Sequence, residues 1–279
     1  MRTIGLLYHP SRPESQALAE ALGEALSGAC VRRFAADDEN ALRQAAPTLD
    51  LLITLGGDGT IVRAVRSVAQ AGTPVLGVNL GRLGFLAEVD PDDMLEIVPA
   101  LLRGEYAIEE RMMLAVTMER EGKRLFESHA INDAVLARGA ISRTVRVSVE
   151  VDGRHVMTPV ADGVIVSTPT GSTAYCLAAG GPIVAPDLNC LAITPIAPHL
   201  GIVRSFIIPP QRQVCLRLIK GEGAMLTVDG QVDIAVSPGD VVCASMSEQR
   251  ARFVRLAGAG YYYESVLRRL GWADRPEVP

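Results

Sequence analysis

The sequence has no excess of positive charge and no long apolar segment. Its 27 Lys and Arg residues and 32 Asp and Glu residues give a net charge of −5, which offers no electrostatic attraction to nucleic acid or to an anionic membrane surface. No apolar run approaches the roughly 20 residues of a membrane-spanning helix, and residues 1–3 lead directly into a predicted strand rather than a signal peptide. We therefore expect a cytoplasmic protein that binds neither nucleic acid nor membrane.

Cysteine and histidine are too few and too scattered to indicate a metal centre built by the protein. The four histidines stand at no ligand spacing from the cysteines, and no Cys-x-x-Cys pair occurs, so we predict no structural zinc site. An odd number of dispersed cysteines is typical of free thiols in a cytosolic protein. We therefore predict buried free thiols at Cys30, Cys176, Cys190, Cys215 and Cys243.

The usual nucleotide-binding fingerprints are also missing. Gly122-Lys123 is followed by Arg124 rather than by the Ser or Thr of a Walker A motif, and no Gly-x-Gly-x-x-Gly segment occurs. In their place, a short glycine-rich turn at 56–60 follows an apolar strand at 51–55 and precedes a predicted helix. Its sequence is Gly56-Gly57-Asp58-Gly59-Thr60.

A glycine turn between a strand and a helix can cradle phosphate. Glycine lets the backbone approach a ligand closely, and the first N–H groups of a helix point at a bound anion. Because a carboxylate in such a cradle would repel phosphate, Asp58 indicates phosphoryl transfer rather than passive binding. The plain alternative is an ordinary strand-to-helix turn with Thr60 as the N-cap residue.

The periodicity of the sequence predicts two domains. Strand and helix patterns alternate over residues 1–105, which predicts a Rossmann-like α/β domain with a parallel sheet. Over residues 106–254 the period is mostly two, with hairpin signals at 152–153 and 229–230, which predicts a β-rich, sandwich-like domain. The tail, 255–279, contains a predicted helix that we expect to return to the first domain. In the first domain we predict strands at 3–8, 30–34, 51–55 and 74–78, and helices at 14–26, 41–46, 60–71 and 92–102.

Three further segments combine polar residues or glycine with apolar neighbours. The run 162–175 carries a dense set of hydroxyl side chains that can donate to phosphate or sugar oxygens, and Tyr175 can cover a base or a ribose. The Asn132-Asp133 pair lies amid apolar residues, where polar groups are costly unless they are bonded or bind a ligand. The third segment is 79–86. Each also has a structural interpretation, as a surface turn, a satisfied pair or an ordinary loop.

Together these segments resemble the NAD kinase family. The resemblance implies phosphorylation of NAD at the 2′-hydroxyl of its adenosine ribose to give NADP. It further implies ATP or polyphosphate as the phosphoryl donor, a divalent metal ion such as Mg²⁺, and NAD binding by the β-rich domain at 106–254. The protein is expected to bind NAD and ATP as a homo-oligomer, either a dimer or a tetramer. The matching segments occur in the family's order and span most of the chain: 56–60, 79–86, 132–133, 162–175 with 179–182, 193–199 and 229–231.

The resemblance also assigns roles residue by residue. Asp58 resembles the catalytic aspartate, taken as the general base on the 2′-hydroxyl, with a metal-ligand role left open. Phe85 and Leu86 resemble residues against the adenine, and Asn132 with Asp133 resembles the pair that holds the ribose hydroxyls. The other positions expected to contact NAD or phosphate are Gly56, Gly57, Gly59, Thr60, Arg63, Val160, Asp162, Thr170, Ser172, Thr173, Ala174, Tyr175, Cys176, Leu177, Ala178, Ala197 and Gln231.

Several positions depart from the family pattern. The usual pair is Asn-Glu, whereas the shorter acid Asp133 stands here. Cys176 and Ala178 stand where the family often has serine, so side-chain hydroxyl contacts are expected to be missing. Val160 is apolar at a position that varies between basic and small residues, which leaves the choice between NAD and NADH open.

Two other classes of protein stay open at this point. A lipid kinase shares the glycine-aspartate turn, but it would leave Asn132-Asp133 and the loop at 168–175 unexplained. A non-catalytic dinucleotide sensor would keep the binding loop and lose the base, whereas Asp58 is present. Incubation with ATP, magnesium and either NAD or diacylglycerol separates the three classes.

Overall fold

The computed structural model describes residues 2–81, 84–139, 143–199, 204–256, 266, 270 and 271. The chain divides into two compact units. Unit 1 holds the residues up to Glu110 together with the chain from Ala251, and unit 2 holds Arg111–Arg250. The predicted division, at 105/106 and 254/255, lies a few residues from these boundaries. The helix predicted at 261–270 and the expected return of the tail fall almost entirely outside the described residues.

Unit 1 alternates strands and helices along the chain. They are β1 (Thr3–Tyr8), α1 (Pro13–Ala25), β2 (Cys30–Ala35), α2 (Glu39–Ala45), β3 (Leu51–Gly56), α3 (Asp58–Val68), β4 (Val75–Asn79) and α4 (Met94–Arg103). The four strands are parallel and stand in the order β4-β3-β1-β2. The connections leave β1 and β3 in opposite directions, so the carboxyl ends of these strands border the crevice where such sheets bind ligands.

The apolar residues of unit 1 lie where the sequence pattern predicts them. All of β3 is buried, as expected for a central parallel strand covered on both faces. The α1 segment turns Leu22 and Leu26 into the core with Leu18 packed beside them, which is the stripe that i,i+4 spacing produces. The predicted strands and helices of this unit are confirmed, with ends shifted by a few residues.

Unit 2 is a β-sandwich. The strands are β5 (Ala107–Arg120), β6 (Lys123–Ala130), β7 (Asp133–Ala137), β8 (Val145–Val151), β9 (Arg154–Met157), β10 (Val160–Ala161), β11 (Gly163–Ser167), β12 (Leu191–Ile196), β13 (Phe206–Ile208), β14 (Val214–Lys220), β15 (Ala224–Val228), β16 (Val232–Val236) and β17 (Val241–Arg255), and the short helix α5 (Tyr175–Ala178) follows β11. One sheet has the antiparallel order β13-β12-β11-β7-β15-β16. The other contains β10-β8-β14-β17, with β9 beside β8 and the β5–β6 hairpin joined through β5 to β17. Inward-facing residues of both sheets, such as Val147 on β8 and Val164 on β11, form one core.

Both predicted Asp-Gly hairpins are present in unit 2. Asp152 and Gly153 have φ values of 49° and 73°, and Asp229 and Gly230 have φ values of 52° and 64°. These are the left-handed values that a two-residue type I′ turn requires at both central positions. The first turn joins β8 to β9 and the second joins β15 to β16, as the alternating pattern on either side of each Asp-Gly pair predicts. The hairpin of β5 and β6 was not predicted.

The prediction of five free thiols is wrong for two cysteines. Cys215 on β14 and Cys243 on β17 form a disulfide with a Cα–Cα distance of 4.1 Å. They are direct cross-strand partners in the antiparallel register of these two strands, and such pairs bring Cβ atoms close enough to be bridged. The pairing depends on the register of strands far apart in the sequence, so spacing did not reveal it. Cys176 and Cys190 are free and buried as predicted, whereas Cys30 is free and exposed.

Every helix in the described part of the chain is too short or too polar to cross a membrane.

Candidate functional site

The glycine-aspartate turn lies at the carboxyl end of β3. Helix α3 begins at Asp58 with Gly57 as the N-cap residue, so the alternative with Thr60 as N-cap is wrong. A Cβ atom built on Gly56 would stand 2.6 Å from Oγ1 of Thr60, which shows that Gly56 is needed for close packing inside the turn. A Cβ atom on Gly57 or Gly59 would meet no described atom within 4 Å beyond the adjoining residues. Among the described residues, no side chain fills the space beside these two glycines, which lie at a helix N-terminus, where anions bind.

The carboxylate of Asp58 is fixed by the backbone of a second loop. Oδ2 accepts a hydrogen bond from the N–H of Phe85 at 2.7 Å, and Oδ1 accepts one from the N–H of Leu86 at 3.1 Å. A Cβ atom on Gly84 would stand 2.1 Å from Oδ1 of Asp58, so only glycine fits there. Each carboxylate oxygen keeps a lone pair for a further partner.

Arg63 lies on α3, but the structure directs its side chain to α2. Its Nη1 donates to the carbonyl of Ala36 at 3.1 Å, and its Nε stands 3.6 Å from Oε1 of Glu39. That distance is too long for a hydrogen bond, and Nε is buried without one among the described residues. The predicted contact of Arg63 with phosphate stays a prediction.

Side chains at the start of α1 hold the chain beside the turn, at the end of β3 and just after β4. Ser15 donates from Oγ to the carbonyl of Leu55 at 3.0 Å, and Arg12 donates from Nη1 to the carbonyl of Leu80 at 2.7 Å. At the end of β4, the buried Oδ1 of Asn79 has no hydrogen-bond partner within the described ranges. A buried acceptor of this kind is costly unless a ligand or water satisfies it, so Asn79 is a polar group available to this edge of the sheet.

In unit 2, Asn132 and Asp133 form a tight connection between β6 and β7. The carboxylate of Asp229 accepts the N–H groups of Ile131 at 2.9 Å, Asn132 at 2.7 Å and Asp133 at 3.1 Å. From the other side, Thr168 donates its N–H to the carbonyl of Asn132 at 2.9 Å and its Oγ1 to the carbonyl of Ile131 at 2.5 Å. The backbone of the pair is therefore held on two sides.

The side chain of Asp133 is in an unusual electrostatic setting. The residue is 4% exposed. Burial, followed by the negative charge of Asp229, raises the pKa of Asp133 to about 7, because a carboxylate is poorly solvated inside a protein and is repelled by a second one. The structure thus gives unit 2 a carboxyl group that titrates near neutral pH beside a polar, half-buried Asn132.

The hydroxyl-rich loop after β11 uses much of its bonding capacity internally. Ser172, which is fully buried, donates to the carbonyl of Pro169 at 2.6 Å and accepts the N–H of Val184 at 3.0 Å. Thr173 donates to the carbonyl of Thr170 at 3.3 Å. These hydroxyls hold the loop in shape rather than standing open to a ligand, which differs from the interpretation of the segment as a set of free donors.

Two side chains of the same loop retain capacity for a ligand. Oγ1 of Thr170 is buried and has no hydrogen-bond partner in the described part of the chain. Tyr175 is 47% exposed, so its ring is available to cover a planar group. Ala174, with φ −94° and ψ −130°, joins this loop to α5.

Cys176, at the family's serine position, points into the core. Its thiol lies 3.4 Å from Oγ1 of Thr194, and burial raises the pKa of the Cys176 thiol. A Cβ atom on Gly181 would stand 2.3 Å from its sulfur, so the glycine pair after α5 makes room for it. Leu177 is half-buried and Ala178 is exposed.

The remaining predicted site residues lie in two separate regions of unit 2. Asp162 precedes β11, roughly 17 Å along that strand from its Asp133 end, and pairs with Nε of Arg138 at 2.9 Å. Val160 accepts the N–H of His199, and Ala197 has φ 43°, a strained value for alanine; both lie near Asp162. Gln231 instead follows the Asp229-Gly230 turn, near Asn132.

Sequence reasoning missed two residues that shape these sites. Asp229 was recognised as a turn residue and Gly84 as part of a loop, both within segments that match the family, but neither was assigned a role at the site. An Asp-Gly turn is so common that it does not show where the carboxylate points, and the close approach of Gly84 to Asp58 depends on the tertiary structure. The described residues contain no cluster of three or more His, Cys, Asp or Glu side chains that could hold a metal ion.

An α/β unit with a carboxylate fixed in a phosphate-type turn, together with a β-sandwich that presents a clamped polar pair, defines a nucleotide-dependent phosphotransferase. Residues 4–106 match the ATP-NAD kinase N-terminal domain, and residues 131–256 match the ATP-NAD kinase C-terminal domain. The chain belongs to the NAD kinase family, and it is an enzyme of the kinase class. The resemblance found in the sequence is confirmed, as is the α/β plus β-rich architecture.

Relatives and a solved structure cover most of the chain. The chain is 45% identical over 227 residues to an NAD kinase of Geobacter metallireducens, an alignment that covers 81% of this chain and 80% of the relative. It is 38% identical to an NAD kinase of Desulforamulus reducens, with 96% of each chain covered. The chain is also similar to the crystal structure of yeast NADH kinase complexed with NADH, with 25% identity and a TM-score of 0.86. The similarity covers 100% of this chain and 90% of the yeast chain.

Proposed function

We propose that the protein transfers the γ-phosphoryl group of ATP to the 2′-hydroxyl of the adenosine ribose of NAD, giving NADP. The observation that carries this proposal is the carboxylate of Asp58, which two backbone N–H groups hold at the open face of a glycine turn. An aspartate in this place has no use in a site that only binds phosphate. It is suited to accept a proton from, or to orient, the hydroxyl that attacks the phosphoryl group.

In the proposed mechanism, Asp58 takes up the proton of the 2′-hydroxyl on a lone pair that its hydrogen bonds leave free. An aspartate is a weak base for a sugar hydroxyl, but phosphoryl transfer depends mainly on positioning and on neutralisation of charge. Gly56, Gly57, Gly59 and Thr60 contribute backbone and hydroxyl groups around the phosphates. Because the N–H groups of Phe85 and Leu86 each hold one oxygen of the carboxylate, its orientation is set before substrate binds.

A divalent ion, Mg²⁺, fits this arrangement if the phosphates supply most of its ligands. Mg²⁺ commonly binds through one or two carboxylates plus substrate phosphates and water, so no cluster of protein ligands is needed. Asp58 is the carboxylate of the turn and would be the protein's contribution. When bound, the ion neutralises the charge of the transferring phosphoryl group.

The remaining proposed contacts concern recognition of NAD. Asn132 and Asp133 bind ribose hydroxyls, Phe85 and Leu86 lie against the adenine, and Tyr175 covers a planar group. Contacts are also proposed for Arg63, Val160, Asp162, Thr170, Ala174, Leu177, Ala178, Ala197 and Gln231. For Ser172, Thr173 and Cys176, whose side chains bond within the protein, the proposed contacts are made by the backbone. We further propose a cytoplasmic homo-oligomer, because ATP and NAD are cytoplasmic metabolites and the family resemblance implies a dimer or tetramer. Size-exclusion chromatography with light scattering tests the latter.

The test is an activity assay with purified protein, ATP, magnesium and NAD, in which NADP is measured by an enzymatic cycling reaction. Parallel arms replace NAD by NADH or diacylglycerol, replace ATP by polyphosphate, or add EDTA. We expect NADP formation that depends on ATP and stops with EDTA. Phosphorylation of diacylglycerol alone would assign the protein to the lipid kinases. Tight NAD binding without any transfer would make it a dinucleotide sensor.

A further inference from the structure

Asp229 makes an unusually dense set of contacts for a hairpin residue. Its side chain leaves the turn between β15 and β16 and accepts three successive N–H groups, those of residues 131–133, at 2.7–3.1 Å. Its own N–H donates to the carbonyl of Asp133 at 3.0 Å. Successive N–H groups that converge on one carboxylate form a strong, charge-assisted arrangement.

The three N–H groups belong to the connection where β6 ends and β7 begins. Ile131 is fully buried there, and a buried N–H without a partner is unfavourable. The conformation of Asn132 and Asp133 therefore depends on the carboxylate that satisfies these donors. Thr168 holds only the carbonyl side of the same connection.

We propose that Asp229 is a positioning residue of the NAD site, whose carboxylate holds the Asn132-Asp133 backbone in the conformation that presents both side chains to the ribose. This inference rests on the proposed function, in which Asn132 and Asp133 bind the ribose hydroxyls. Asp229 acts through these two residues and needs no contact of its own with NAD.

The chain offers a matched control. Asp152 occupies the same place in the other Asp-Gly hairpin, with φ 49° against 52° for Asp229. Its carboxylate binds Arg212 at 2.7 Å and the N–H of Gln213 at 3.0 Å, away from Asn132. Asparagine tolerates the left-handed backbone conformation as well as aspartate does, so neither Asp229→Asn nor Asp152→Asn should strain its turn. The two variants differ in which groups lose the carboxylate as their hydrogen-bond partner.

The experiment measures NAD affinity by calorimetry for the full-length wild type, Asp229→Asn, Asp229→Gly, Asp152→Asn and Asn132→Ala. We expect Kd for NAD to rise at least about tenfold in both Asp229 variants, the scale of a lost hydrogen bond to a charged group, and to stay unchanged in Asp152→Asn. Wild-type affinity of Asp229→Asn beside a weakened Asn132→Ala would overturn the positioning role and leave the proposed function intact. Wild-type affinity of Asn132→Ala would instead remove the ribose contact on which the inference rests.

A second readout separates positioning from a purely structural role. In the described part of the chain, the Asp133 carboxyl interacts electrostatically with two titratable groups, Asp229 on the β15–β16 turn and the thiol of Cys176 on α5. Loss of the Asp229 charge lowers the pKa of Asp133, so the inflection of NAD affinity with pH moves to lower pH in Asp229→Asn and not in Asp152→Asn. An unmoved inflection, or failure of both Asp229 variants to fold while Asp152→Asn folds, would overturn the proposal.

Discussion

The carboxylate of Asp58 is hydrogen-bonded to the backbone N–H of Phe85, with 2.7 Å between Oδ2 and N. The residue proposed to act on the ribose hydroxyl is thus tied to the residue proposed to lie against the adenine. Because Leu86 donates to the other oxygen, rotation of the carboxylate would break one bond or both. The orientation of the carboxylate and the position of the adenine contact are therefore coupled through one loop.

Replacement of Asp58 by asparagine should remove most of the activity. We expect NADP formation by Asp58→Asn to fall by a factor on the order of 100 to 10,000, since an amide can neither take up the proton nor serve well as a metal ligand. Affinity for NAD should stay within a few-fold of wild type. Steady-state turnover and calorimetric titration with NAD measure the two quantities.

The matched control for Asp58→Asn is Asp38→Asn. Asp38 is also an aspartate at a helix start in unit 1, where its side chain accepts the N–H of Ala41 at 3.0 Å. This variant should keep wild-type turnover. Turnover of Asp58→Asn within a few-fold of wild type would contradict both the base and the metal-ligand role.

Alanine at position 84 should displace the carboxylate of Asp58, the proposed catalytic group, while leaving its chemical identity unchanged. Its Cβ atom would stand 2.1 Å from Oδ1 of Asp58, so the carboxylate or the loop must move. We expect turnover of Gly84→Ala to fall by roughly 100-fold, the scale of a misplacement of about 1 Å. Gly28→Ala is the control, because its Cβ atom meets only Leu102, at 3.7 Å. Equal turnover of the two variants would show that the packing of Gly84 has no effect on Asp58.

From the raised pKa of Asp133 we predict how the stability of the protein changes with pH. With a folded pKa of about 7 against an ordinary value of 3.8, the native state binds more protons than the unfolded state between these pH values. The contribution of Asp133 to stability is therefore present at low pH and is lost as pH rises through about 7. The neutral variant Asp133→Asn should avoid this loss.

Thermal melts of wild type and Asp133→Asn at pH 5 and pH 8 measure the effect. The melting temperature of the variant, relative to wild type, should be higher at pH 8 than at pH 5 by at least about 2 °C, the shift that roughly 1 kcal/mol produces in a chain of this size. A difference that does not change with pH would mean that Asp133 titrates normally.

The disulfide between Cys215 and Cys243 should be detectable and stabilising. Thiol titration of the denatured, non-reduced protein should find three thiols, and five after reduction. Because the bridge closes a loop with a sequence separation of 28, its loss in Cys215→Ser should lower the free energy of unfolding by about 3–4 kcal/mol. Cys30→Ser, at an exposed free thiol, should have no such effect. Five titratable thiols before reduction would exclude the bridge.

Much of the fold followed from local patterns. The order of strands and helices up to α4, and the two Asp-Gly hairpins, depend on side-chain periodicity and on turn residues, which act over a few positions. The β5–β6 hairpin escaped because its turn, Glu121-Gly122, is not a strong turn signal. The cysteine pairing escaped because it depends on which strands become neighbours.

The candidate site was likewise predicted from the sequence only in part. Asp58 and Asn132-Asp133 stood out in the sequence because a carboxylate in a phosphate turn and a polar pair among apolar residues are both costly without a purpose. The hydroxyls of the loop at 167–173 were interpreted as donors open to a ligand. In the structure, the hydroxyls of Ser172 and Thr168 instead donate hydrogen bonds to backbone carbonyls. Whether a hydroxyl faces a ligand or its own loop depends on its surroundings, which the sequence of the loop does not contain.

By itself, the sequence determined most strands and helices, the two Asp-Gly turns and the chemical groups available at the strand ends, because these depend on residues adjacent along the chain. The tertiary structure decided which distant groups meet: Gly84 against Asp58, Asp229 beneath Asn132-Asp133, and Cys215 beside Cys243. Those contacts arise from strand order and register, which are fixed by burial of the core as a whole. The orientation of the Asp58 carboxylate and the ionisation of the Asp133 carboxyl are therefore properties of the folded molecule.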